Sequence, residues 1–177
     1  MTKLSMYNIP FKGFGLGVHK FDYQIDSTFF ELFDGSIIDN GQIGVEVCME
    51  KESTVTSICV MLKGKVKVVC DRCLELYDQP VESENRVFIK IGEKTFDEGD
   101  DVVWVGVNDH MVNVAKLIYD FVILAIPIRQ VHPDDKECDP GMMLRLKSLA
   151  VSDNDKEDET EEKADPRWRE LKKLLKK

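Results

Sequence analysis

Across residues 6–92 the apolar side chains recur at every second position, and this pattern restricts the chain to strands over about half its length. Phe21, Tyr23 and Ile25 alternate with polar neighbours, residues 43–48 (IGVEVC) alternate again, and residues 55–62 (VTSICVML) do so in part. Side chains two apart lie on one face of a strand, so each segment can bury one face and wet the other. Gly35, Asn40 and Gly41 mark turns between them. Further strands are predicted over residues 86–91 and 102–105, and a short helical stretch over residues 28–33. Consecutive strands joined by short turns predict an antiparallel meander that can curl toward a barrel.

The period changes after residue 111. Val114, Leu117, Ile118, Phe121, Val122 and Ala125 fall at three- and four-residue spacings, which predicts one main packed helix capped by Asn113 and ended by Pro127. Asp120 interrupts its apolar character and is expected at the helix margin or paired with a nearby base, because an unpaired buried carboxylate is costly. Residues 141–150 predict a second short helix with Met142, Leu146 and Leu149 as its apolar positions. The fold class is α+β.

Charge divides the chain of 177 residues. The net charge is −9: residues 1–150 carry 16 bases and 24 acids, residues 151–164 carry 2 and 7, and residues 165–177 carry 6 and 2. A strongly basic nucleic-acid binder is excluded for the chain as a whole. Residues 1–150 are expected to form one globular domain. Residues 151–164 (VSDNDKEDETEEKA) have only Val151 and Ala164 to bury, so they predict a disordered acidic linker spanning roughly 20 Å as a coil. In residues 165–177, Asp165 and Pro166 form a helix start, and Trp168, Leu171 and Leu175 form an apolar stripe. So short a helix needs a partner surface, either its own domain or an RNA or ribosomal protein. Arg167, Trp168, Arg169, Lys172, Lys173, Lys176 and Lys177 are its candidate contacts.

The longest apolar run is residues 121–128, too short for a membrane span of about 20 residues, and the first residues lack the apolar stretch of a secretory signal. A cytoplasmic protein without a membrane partner is expected. Five cysteines then read as thiols or metal ligands. Cys70 and Cys73 stand at C-x-x-C spacing, where a tight turn can aim both sulfurs at one ion. His132 and Cys138 complete a Cys₃His set chemically suited to a structural zinc. The alternative is an unmetallated turn held by packing. A redox pair is disfavoured because no helix start follows Cys73 to lower a thiol pKa. Cys48 and Cys59 read as core residues. His19 reads as structural, and His110 falls in the turn before the main helix.

Lys63, Lys65 and Lys67 alternate with apolar residues, and Arg72 extends the positive character into the cysteine turn. Such a stripe can track phosphates, or can be the solvated outer face of a half-buried sheet. The sequence contains no phosphate-cradling glycine loop, no nucleophile elbow and no H-E-x-x-H pair. A non-enzymatic protein is expected.

These pieces together resemble the YceD family of large-subunit ribosomal RNA accumulation proteins. The matching segments are residues 64–75 (GKVKVVCDRCLE), residues 119–132 (YDFVILAIPIRQVH), Cys138 and residues 165–174 (DPRWRELKKL), in the family's order. Asp120 stands where the family tends to have an acid, and Ile126 and Pro127 stand for its Leu-Pro at the helix end. Some members carry further cysteine pairs after the helix, where this chain offers His132 and Cys138. The resemblance implies a bacterial cytoplasmic factor that supports accumulation or maturation of large-subunit ribosomal RNA, linked to a small ribosomal protein whose gene is often adjacent. It implies no known reaction. Three functions follow as expectations: an assembly factor binding large-subunit ribosomal RNA or a ribosomal protein, a metal- or thiol-dependent RNA-processing enzyme, and an acidic module for a basic ribosomal protein.

Overall fold

The computed structural model describes residues 3–92 and 101–150. A 3-10 turn at Lys3–Tyr7 leads into β1 (Asn8–Ile9), and β2 (Gly17–Ile25), α1 (Ser27–Phe30), β3 (Gly41–Lys51), β4 (Thr56–Val69) and β5 (Leu76–Ile91) follow. Then come β6 (Val102–Val105), β7 (Val112–Asn113), α2 (Ala115–Leu124), a 3-10 turn at Asp135–Glu137 and α3 (Pro140–Leu149). Five strands form one sheet in the order β2–β3–β4–β5–β6, and β1 pairs with β7 in a separate ribbon.

The alternation read from the sequence is realised in the burial. Ile43, Val45, Val47 and Met49 of β3 and Ile58, Val60 and Leu62 of β4 are buried, while Lys63, Lys65 and Lys67 are exposed. Tyr7, Ile9, Phe29, Phe30, Ile118 and Val122 belong to the same core. Tyr7 packs edge-on to Phe29 at 5.2 Å, and Phe33 stacks on Tyr119 of α2 at 4.3 Å. These aromatic contacts tie the 3-10 turn to α1, and the α1 region to α2.

The meander holds for β2 to β5, which are antiparallel in sequence order. It does not hold for β6, which runs parallel to β5. Apolar alternation encodes a strand's face and not its direction, so a four-residue strand reads the same either way. The sheet is open, ending at β2 and β6 among the described residues, and does not close into a barrel.

β5 begins ten residues before the predicted strand and contains Pro80, a residue that ordinarily breaks one. Pro80 pairs with Lys65 in mid-strand. The Cys70 N–H donates to the Glu75 carbonyl, which fixes the alternation of hydrogen-bonded pairs and leaves the Lys65–Pro80 pair between them. The donor that proline lacks is therefore on the side away from β4, and there β6 pairs only with Phe88–Ile91. Gly64 is required for a different reason. A Cβ there would lie 2.2 Å from the Gln42 carbonyl oxygen and 2.6 Å from the Ile43 Cα, so β3 and β4 could not approach as they do.

The cap position of α2 is Val114 and not Asn113 as predicted; Asn113 sits one residue earlier in β7, where its side chain accepts from the Ala115 N–H at 3.0 Å. The helix stops before Pro127. Asp120 pairs with Lys116 one turn earlier at 2.7 Å. Cys59 is buried, as expected of a core residue, whereas Cys48 is only half-buried; the two oppose each other across β3 and β4 on the lysine side of the sheet, near Glu46 and Glu84. His19 lies in β2, its ring 4.5 Å from that of Phe14 and its Nε2 3.0 Å from the Gly15 carbonyl oxygen.

Contacts divide the chain into two compact units at Asp139 and Pro140. In the second, α3 is the described element, and none of its residues is buried. The acidic segment 151–164 and the basic segment 165–177 lie outside the described residues. Among the described residues no helix is long and apolar enough to cross a membrane.

Candidate metal centre

At the end of β4 the strand turns sharply into β5. Cys70 closes the turn by donating its N–H to the Glu75 carbonyl at 2.9 Å and accepting from the Leu74 N–H at 2.9 Å. Leu74 takes a left-handed conformation at φ 62°, rare for a leucine, and its side chain is exposed. This tight loop brings Cys70 and Cys73 together, both buried.

The segment after α2 is fastened to the turn. The Asp71 N–H donates to the Gln130 carbonyl at 2.7 Å, and the Gln130 N–H donates back to the Asp71 carboxylate at 2.7 Å. Arg72 donates from Nη2 to the His132 carbonyl at 2.7 Å and forms an ion pair with Asp135. Tyr77 of β5 lies against the His132 ring at 4.7 Å. Asp134 caps the following 3-10 turn, which ends at Cys138. These contacts deliver His132 and Cys138 to the cysteine pair.

Four ligand atoms, one each from Cys70, Cys73, His132 and Cys138, lie within 4.8 Å of one another, and all four residues are buried. His132 presents Nδ1, which is 3.5 Å from the Cys73 sulfur and 3.5 Å from the Cys138 sulfur. A tetrahedral zinc with Zn–S about 2.3 Å and Zn–N about 2.1 Å would separate sulfur and nitrogen by about 3.6 Å. The donor set and its spacing therefore fit that ion.

The electrostatics agree with a cation. Burial is the largest influence on Cys70 and opposes ionisation. Backbone N–H groups of Cys73, Arg72 and His132, together with the His132 ring, overcome it and bring the thiol down to about 5. Cys138 moves the other way, to about 11, through burial and then through its hydrogen bonds with Cys73 and Cys70. The cluster accepts one negative charge readily and resists another. A bound dication removes that resistance, since thiolates are its natural ligands. Arg72 Nε is buried without a hydrogen-bond partner, and the Cys70 and Cys138 sulfurs join Asp135 in raising the guanidinium pKa. A positive side chain against a thiolate-rich centre is the expected second layer of such a site.

The structure treats the other candidates differently. Lys63 meets Glu82 at 3.1 Å, and Lys65 and Lys67 both meet Asp78, at 2.8 and 2.9 Å. The stripe exists on one face, and across β4 and β5 two carboxylates serve its three ammonium groups. Arg72 is only 18% exposed at its side chain and belongs to the cysteine centre. Arg167, Trp168, Arg169, Lys172, Lys173, Lys176 and Lys177 lie outside the described residues. Asp71, Tyr77, Gln130 and Asp135 were not singled out by spacing. The one available signal was that Asp71 and Asp135 fall inside the two cysteine-bearing segments.

An open α+β sheet protein whose strand turn and post-helix segment converge on a buried Cys₃His cluster is the class these features define. A family model described as "Large ribosomal RNA subunit accumulation protein YceD" matches residues 58–175, from β4 through the cluster and onward. The chain belongs to the YceD family. No curated protein and no solved structure matches it.

Proposed function

We propose that this chain is a non-enzymatic accessory factor in large-subunit ribosomal RNA accumulation, acting by binding RNA. In this reading Cys70, Cys73, His132 and Cys138 hold a structural zinc that locks the β4–β5 turn to the segment after α2. The observation that carries the zinc assignment is the convergence of four buried ligands from two distant segments. Four protein ligands complete a tetrahedral shell, as in structural sites, whereas a catalytic zinc keeps a position for water. The family description supports the ribosomal RNA link. The basic segment 165–177 is a second RNA contact, acting from the end of the acidic linker.

Two measurements test the reading. Protein purified without chelator or added metal is expected to carry about one zinc per chain, and Cys70→Ser none. Full-length protein is expected to co-sediment with large-subunit precursors in an RNase-sensitive manner, and less so without residues 165–177. Co-sedimentation that survives RNase would favour the alternative of an acidic module bound to a basic ribosomal protein, for which the net charge of −8 over residues 1–150 is the supporting observation.

A further inference from the structure

Two groups of lysines contrast among the described residues. Lys20, Lys63, Lys65, Lys67 and Lys116 each meet a carboxylate. Lys12 and Lys51 meet neutral backbone instead. Lys12 donates to the Val107 carbonyl at 2.7 Å, and Lys51 donates to the carbonyls of Phe11 and Phe14 at 3.0 and 2.7 Å. Carbonyl partners hold an ammonium group in place without cancelling its charge. Both lysines line one cleft of about 480 Å³ at the end of the β3–β4 hairpin. Lys90 lines it too, its ammonium 5.9 Å from the centre of the Trp104 ring. Among the described residues the acidic member of the lining is Glu52, exposed in the hairpin loop.

The remaining lining explains what such a charge could hold. Trp104 is half-buried in β6 and turns its indole into the cleft wall, and the hairpin adds the hydroxyls of Ser53, Thr54 and Thr56. Gly92, at φ +149°, passes the ring where a Cβ would already be 3.4 Å from Cζ3. Fixed ammonium groups, hydroxyls and an aromatic face in one concavity suit a phosphate and a stacked base together. An acidic peptide would use the lysines and leave the indole idle.

We propose that this cleft is the body's binding site for single-stranded RNA, with the phosphate backbone held by Lys12 and Lys51 and a base stacked on Trp104. The inference rests on the RNA-binding reading above and deepens it by naming the site. It places RNA contact at the far end of β4 from the cysteine turn, and away from the paired lysine stripe.

The test is fluorescence anisotropy of full-length, zinc-loaded protein with a fluorescein-labelled oligouridylate of about twelve nucleotides. Replacing Lys12 and Lys51 together by Gln is expected to weaken binding about tenfold. It should also flatten the plot of log affinity against log salt by about 1.4, at roughly 0.7 for each phosphate contact to a single strand. Trp104→Leu should weaken binding about tenfold, and Trp104→Phe should keep most of it. Because Lys51 also anchors the Phe11–Phe14 loop, the double Lys→Arg variant serves as the folded control and should bind as wild type. If the Gln variant binds normally and deletion of residues 165–177 abolishes binding, the cleft assignment falls while the RNA reading stands. If wild type does not bind, both fall. If Trp104→Leu has no effect and polyglutamate competes as well as RNA, the cleft is a site for acidic peptide and the proposal is overturned.

Discussion

The cysteine turn and the lysine stripe are neighbours in sequence and share β4, yet the fold gives them opposite fates. Cys70 and Cys73 are buried, and His132 and Cys138 come from nearly sixty residues away to join them. Lys63, Lys65 and Lys67 stay exposed, and β5 returns alongside with Glu82 and Asp78. In the buried cluster, charge without a counter-ion is costly, so the arrangement calls for a cation. On the exposed face water already solvates each ammonium, and the carboxylates merely balance it. Two equally suggestive spacings thus separate according to burial: the buried one gathers a ligand cluster, and the exposed one makes an ion-paired surface.

The largest effect expected to test this contrast is at Cys70. Cys70→Ser should abolish zinc binding and destabilise the fold by about 3–5 kcal/mol, a drop of roughly 10 °C in melting midpoint. Calorimetry beside metal analysis checks it, and an unchanged midpoint after loss of the ion would break the comparison on its buried side. Next is Arg72→Gln, which removes the guanidinium that bridges the turn to His132 and Asp135. It should raise zinc dissociation to a chromogenic chelator by about tenfold while leaving stoichiometry at one. Asp135→Asn should do less, since that carboxylate is 73% exposed.

Smaller still is the triple change of Lys63, Lys65 and Lys67 to Gln. Its denaturation midpoint at neutral pH should fall only slightly below wild type, as expected for exposed pairs, and its oligouridylate affinity should change less than threefold. A large loss of affinity would return the stripe to the RNA surface and sharpen the comparison in the opposite sense. The smallest expected effect is with acid. The hydrogen bonds of Lys65 and Lys67 hold Asp78 below its ordinary 3.8, and Lys20 holds Glu46 below its ordinary 4.5. A carboxyl with a lowered folded pKa contributes stability above its unfolded pKa and loses it as pH falls through the folded one. Urea midpoints should therefore be flat above pH 5 as far as these pairs are concerned, and decline below pH 4. The triple Gln variant should lose the part due to Asp78.

Strand faces, the α2 boundaries and the Cys₃His set were legible because each rests on a local rule. Side-chain alternation sets the face, Pro127 stops the helix, and thiol and imidazole are ligands wherever they stand. The parallel β6, the start of β5 before Pro80 and the place of Cys48 and Cys59 on the lysine side of the sheet were not legible. Each depends on which strand lies alongside, and alternation carries no information about a neighbour. The same reason hid the cleft where Lys12, Lys51 and Trp104 meet. Its residues come from the turn after β1, the end of β3, the end of β5 and β6, with no spacing in common. By itself the sequence determined the kinds of element and the chemistry each segment could offer. The tertiary structure alone decided which charges were buried, which were cancelled and which were left facing a common cavity, because solvation and counter-charge are properties of surroundings and not of the chain.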